Sequence, residues 1–124
     1  MIWAALACAL LLAGCGGGGE STPVSDPADV ALRYMTAKAA GDGATIRSLI
    51  CAAREADWES EAASFGAVEA RLRDASCTRQ GTTNIVTCTG AIVAVYGLDT
   101  TEFPLSAYTM TLEDGEYKWC GVAP

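Results

Sequence analysis

The sequence predicts an α+β domain in which N-terminal helices pack on a curved antiparallel β-sheet. Three observations predict it. Apolar residues recur at helical spacing from Asp26 to about Asp74, the spacing changes to alternation from Ala75 onward, and Asp114-Gly115 joins two alternating runs with the residue pair that a type I′ hairpin turn requires. Helices followed by an antiparallel meander form layers, because each element has one apolar face to bury against the other.

Ahead of that domain, Ile2 to Ala13 is almost wholly apolar but far short of the ~20 residues that a membrane-crossing helix needs. It reads as the h-region of a cleavable leader, residues 1–14. Leu12-Ala13-Gly14-Cys15 resembles the lipobox of bacterial lipoprotein signal peptides. The resemblance implies that the thiol of Cys15 carries diacylglycerol and that the chain is held on the extracytoplasmic face of the cell membrane. Each buried CH₂ contributes ~0.8 kcal/mol, so two or three acyl chains hold a domain that one would leave in exchange. The n-region lacks a lysine or arginine, which leaves a start further upstream open, and an ordinary secretory leader cut near Gly14 is the competing reading. Gly16 to Ser25, rich in Gly, Ser and Pro and without apolar periodicity, completes a flexible tether over residues 15–25.

The folded domain spans 26–124. Asp26-Pro27 supplies an N-cap acid and a proline at the first helical position, Val30, Ala31, Tyr34, Met35 and Ala37 share a face, and Gly41 stops the helix. Asp42 caps a second, short helix with Ile46, Leu49 and Ile50 as its stripe. A third helical region is predicted from Ala53 to Asp74, its inner side formed by Trp58, Ala62, Phe65, Val68 and Leu72, with Gly66 as a break point. Ala75 to Arg79 and Ile85 to Tyr96 read as strands joined by the polar Gln80 to Asn84 segment. Phe103 to Glu113 and Glu116 to Val122 form the final hairpin, whose turn sets Met110 opposite Trp119. Pro104 has no N–H for a ladder, so its strand begins at an edge or a bulge.

The helix of the form Val30-x-x-x-Tyr34, the Gly41-Asp42 break, the apolar second helix and the Trp119-Cys120 ending together resemble the nuclear transport factor 2-like family. The resemblance implies a cone enclosed by helices and a curved sheet, used within that family for catalysis, ligand binding or dimerisation. Fold alone assigns none of these. Four of the six cysteines lie in the folded domain of a chain expected to be exported and imply disulfides, and of the three pairings open to them the cone arrangement fits one best. Cys77 and Cys88 flank a hairpin connection, and Cys51 then joins the second helix to Cys120 in the last strand. By loop entropy these bridges contribute about 3 and about 4.4 kcal/mol. Strict alternation sets Cys120 on the face opposite Trp119, so the long bridge requires a bulge, a twist or an approach from the sheet edge.

The chain has no histidine and no C-x-x-C pair, which argues against zinc, and no metal or cofactor is expected. A net charge of −7 disfavours nucleic acid as a partner. Glu55, Asp57, Glu59 and Glu61 could gather calcium, but charges at this spacing more often form a solvated helix face; Arg71 and Arg73 more often pair with nearby acids than meet an anion. No catalytic motif is present. Tyr34, Asp57 and Tyr108 are eligible only by analogy with isomerases and dehydratases of the cone fold. The aromatic and sulfur-bearing set Tyr34, Trp58, Phe65, Tyr96, Tyr108, Met110 and Trp119 is the candidate lining of a pocket for a small apolar ligand, with a solid core as its alternative. The expected function is a non-enzymatic, lipid-anchored module that binds a small ligand or an envelope protein. An enzyme working through an acid or tyrosine, and a structural module forming homodimers, are the alternatives.

Overall fold

The computed structural model describes residues 25–124; the leader and all of the tether except Ser25, with Cys15, lie outside that range. Three helices, α1 (Pro27–Ala40), α2 (Gly43–Leu49) and α3 (Trp58–Ala63), precede an antiparallel sheet of five strands. The strands are β1 (Glu69–Arg79), β2 (Ile85–Tyr96), β3 (Asp99–Pro104), β4 (Ala107–Glu113) and β5 (Glu116–Val122). No helix among the described residues is long and apolar enough to cross a membrane.

Local chemistry sets both ends of α1. The Asp26 carboxylate accepts the Ala28 N–H at 2.8 Å, Pro27 occupies the first turn, and Gly41 closes the helix in the left-handed conformation at φ 68°. Asp42 then starts α2 by accepting from the Thr45 N–H and hydroxyl, bonds that hold its carboxyl below the usual aspartate range. The helices bury Val30, Ala31, Tyr34, Met35, Ile46 and Leu49 against the sheet, whose inner face contributes Val86, Ile92, Ala94, Met110 and Trp119.

The third helical region is shorter than predicted. A 3₁₀ helix (Ala52–Asp57) leads into α3, the chain turns at Ser64 to Ala67, and from Glu69 it is strand rather than helix. Val68, Ala70 and Leu72 are half-buried between exposed Glu69, Arg71 and Arg73, which is the alternation of a strand. A spacing of four residues satisfies both periods, so Val68 and Leu72 alone do not separate them. The predicted strand from Phe103 to Glu113 is likewise two strands, β3 and β4. They lie end to end along one side of β2, while β1 occupies the other side. Asp99–Glu102, expected in no element, pairs with β2 through a two-residue turn at Gly97-Leu98. At the corner after Pro104 the chain stays bonded to β2, through Leu105 N–H to Gly90 C=O and Cys88 N–H to Ser106 C=O, each 2.9 Å.

Two irregularities bend the sheet around the helices. In β1 an extra residue at Asp74-Ala75 shifts the register between Arg73 and Ser76. Gly90 faces it at φ 92°, where a Cβ would stand 2.5 Å from the Asp74 carbonyl oxygen. In β5 the register shifts between the Met110–Trp119 and Tyr108–Val122 pairs, with Gly121 at φ 103°. Each bulge adds twist and curvature. On the outer face, Arg73 of β1 reaches across β2 to pair with Glu102 of β3, covering Ala91 and Val93.

The hairpin and the bridges follow the sequence. Asp114 (φ 50°) and Gly115 (φ 79°) form the tight turn, and Met110 stands opposite Trp119. Cys51 bonds Cys120 and Cys77 bonds Cys88, with Cα separations of 5.2 and 4.0 Å. The difficulty over facing is resolved by an approach from the sheet edge. Ile50 forms a parallel bridge with Trp119, and the Cys51 N–H donates to the Trp119 carbonyl at 2.9 Å, so Cys51 meets Cys120 alongside β5. Because the Cys51–Cys120 loop spans 69 positions and the Cys77–Cys88 loop 11, replacing the first pair by alanine should cost more stability than replacing the second. Denaturant unfolding of the two double variants should show losses of about 4 and about 3 kcal/mol, respectively; equal losses, or the reverse order, would contradict this.

Candidate functional site

Lys38 follows Tyr34 by one helical turn and therefore lies on the face of α1 that turns toward the sheet. Glu61, on α3, meets it there: Lys38 Nζ is 2.6 Å from Glu61 Oε2, and the two side chains retain 23% and 12% of their exposure. Glu55, Asp57 and Glu59 are exposed, as a solvated face requires, whereas Glu61 is turned inward. Among the described residues no group of three His, Cys, Asp or Glu side chains is placed to hold a metal ion.

Arg54 enters the same region from the 3₁₀ helix. Its backbone N–H bonds the Cys51 carbonyl at 3.0 Å, and its guanidinium carbon lies 5.5 Å from the centre of the Trp119 ring, a cation–π contact. Gly121 makes room for it, since a Cβ at that position would collide with Arg54 Nη1. Arg54 Nε lies 3.5 Å from Asp57 Oδ2, an ion-pair approach that falls short of a hydrogen bond.

These groups border a cleft of ≈ 310 Å³ between the C-terminal half of α1, the Arg54 to Phe65 segment and the inner face of the sheet. Phe65, Ile92, Phe103, Tyr108 and Trp119 supply apolar wall, and Lys38, Arg54 and Glu61 supply charge. Phe65 meets Phe103 edge-on at 5.3 Å. A larger depression of ≈ 380 Å³ lies beside Ala39, Val68, Ala70 and Arg71, but it is more open and holds no buried polar atom lacking a partner.

The cleft and the layer behind it hold such atoms. Tyr34 Oη, Arg54 Nε and Trp119 Nε1 are buried without a hydrogen-bond partner. The rings of Tyr34 and Trp119 stack at 4.0 Å, with 0% and 2% of the two residues exposed. Leaving a buried donor unpaired costs about 1–3 kcal/mol, and buried tryptophan N–H groups usually find partners, so three in one place call for a physical account. The Tyr34 pKa is raised far above its ordinary value, first by burial and next by the negative charge of Glu61, which approaches its hydroxyl without completing a bond of good geometry. Burial also raises Tyr108, opposed by the Ser106 N–H that donates to its hydroxyl at 3.0 Å.

Of the residues expected to line a pocket, Phe65, Tyr108 and Trp119 border the cleft. Tyr34 stands behind Trp119 and Met110 is core at 1% exposure. Trp58 packs over Gly43 and under Arg47, away from the cleft, while Tyr96 is largely exposed and touches the rim only edge-on through Phe103 at 6.5 Å. Asp57, eligible by analogy, is exposed and does not border the cleft, which it approaches only through its ion pair with Arg54. Arg73 pairs with Glu102 and Arg71 is exposed, so neither enters the cleft. The charged trio Lys38, Arg54 and Glu61 was not expected there, because the three come from separate segments and each reads alone as a surface charge. No family model matches the chain, and no curated protein or solved structure matches it significantly.

A tyrosine whose folded pKa lies above its unfolded value supports the fold fully below the unfolded value, near 10.0, and withdraws that support as pH rises past it. Tyr34→Phe should therefore retain more of its neutral-pH stability than the wild type above pH ~10. Urea unfolding at neutral and alkaline pH, with tyrosinate absorbance followed in parallel, checks this; equal alkaline losses in both proteins would contradict it.

Proposed function

We propose that this chain is a lipid-anchored extracytoplasmic module with a nuclear transport factor 2-like cone, binding a small ligand in the cleft beside Trp119. The order of helices and sheet and the bulges that curve the sheet support the family reading. The observation that carries the binding reading is the meeting of apolar walls with buried, unpaired donors. Ligand sites combine those two ingredients, whereas a finished core satisfies its polar atoms.

A ligand at about a hundred times its Kd adds about 2.7 kcal/mol of stability, which in a domain of this size raises Tm by roughly 10 °C. Thermal unfolding of the oxidised protein against neutral, anionic and cationic amphiphiles should find such a shift in at least one class, and no shift in any class would remove the reading. Anchoring has its own test. Intact-mass analysis of membrane fractions should give a chain beginning at Cys15 with acyl mass added, and Cys15→Ser should release the protein; membrane retention of that variant would refute the anchor.

Glu61 favours a second reading, because it places an acid beside apolar walls as an isomerase- or dehydratase-like site requires. Recovery of the bound ligand chemically unchanged after incubation separates a binder from such an enzyme.

A further inference from the structure

We propose that the ligand is a small amphiphile with a carboxylate head, its oxygens set against Arg54 and Trp119 Nε1 and its apolar body lying along Phe65, Ile92 and Phe103. This deepens the small-ligand reading and rests on it.

The unpaired atoms define what is missing. Arg54 Nε and Trp119 Nε1 are donors without acceptor capacity, and both are buried. Only an acceptor completes them. The guanidinium is already in place, held against the Trp119 ring and the open backbone of Gly121, so a ligand does not have to order it. A planar fork of donors matches the two oxygens of a carboxylate better than the single oxygen of an alcohol or ketone.

Charge points the same way. The lining holds two cations, Lys38 and Arg54, against one anion, Glu61, and the exposed Asp57 outside the cleft lies 3.5 Å from Arg54 Nε, a weak surface partner that a ligand carboxylate can replace. The Glu61 carboxylate on the same wall opposes a second negative charge, which favours a monoanion over a phosphate dianion. Beyond the charged end, the edge-to-face pair Phe65–Phe103 and the Ile92 side chain offer a surface suited to hydrocarbon. The cleft thus has a charged end and an apolar end, as an amphiphilic acid does.

Isothermal titration of the oxidised full chain with octanoate and with octan-1-ol, equal in chain length and different in charge, tests the assignment. Octanoate should bind at least tenfold tighter. Arg54→Gln should abolish the preference for octanoate over octan-1-ol, and Arg54→Lys should restore part of it. The Trp119 Nε1–H resonance of the wild type should move further with octanoate than with octan-1-ol, a readout that does not depend on how the variants fold. Equal affinities for the two probes, or a preference that survives Arg54→Gln, would overturn the carboxylate assignment while leaving a binding site. Absence of binding by both probes, together with no thermal shift from any class of amphiphile, would remove the site itself.

Discussion

The junction where Ile50 and Cys51 meet the edge of β5 holds the two layers of this protein together. Ile50 bridges Trp119 in parallel, the Cys51 N–H takes the Trp119 carbonyl, and the disulfide to Cys120 makes the contact covalent. Polar bonds extend it on both sides: the Glu113 carboxylate accepts the Ala52 N–H at 3.1 Å, and Lys118 Nζ donates to the Ser48 carbonyl at 2.7 Å. The helices are thereby fixed to the last strand by a covalent bond and hydrogen bonds as well as by packing. The same contact covers part of a sheet edge that would otherwise be open to pairing with another chain.

The cleft depends on this junction as well. Arg54 follows Cys51 by three residues, and its N–H on the Cys51 carbonyl turns the chain so that the guanidinium lies over Trp119. Trp119 therefore serves as a partner for the edge pairing, the stacking surface for Tyr34 and a wall of the cleft. The bulge beside this edge contact brings Gly121 to a positive φ, and the missing Cβ is the space in which the guanidinium rests. Structural bridge and positioned cation thus follow from one local arrangement.

What the sequence made legible was local. Asp26-Pro27, Gly41, Asp42 and Asp114-Gly115 each fix their backbone through bonds within a few residues, and the helix ends and the hairpin turn they set stand as their patterns predict. Val68 to Leu72 was ambiguous because four-residue spacing satisfies helix and strand alike, and only pairing with β2 decides between them. Asp99–Glu102 is exposed throughout, so β3 carries no alternation to read; it is a strand because the turn at Gly97-Leu98 returns it to β2. The site was least legible of all. Aromatic residues suggested a lining, but Lys38, Arg54 and Glu61 become a group only through tertiary contacts, and nothing in the order of residues distinguishes Glu61 from Glu59.

The position of the cleft bears on how an anchored domain would meet its ligand. Ser25, the first described residue, lies beside Arg79, Leu112 and Tyr117, and its hydroxyl oxygen accepts the Tyr117 N–H at 3.4 Å. The cleft first meets α1 at Met35 and Lys38, about two to three turns beyond Pro27. The chain thus enters at one end of α1 and the cleft borders the other half. On the anchored reading, the flexible tether attaches at the entry end, so the cleft lies about two to three turns of α1 from the point of attachment. An amphiphilic acid would then compete with the exposed Asp57 carboxylate for Arg54, an exchange that costs little because a solvent-exposed ion pair is weak.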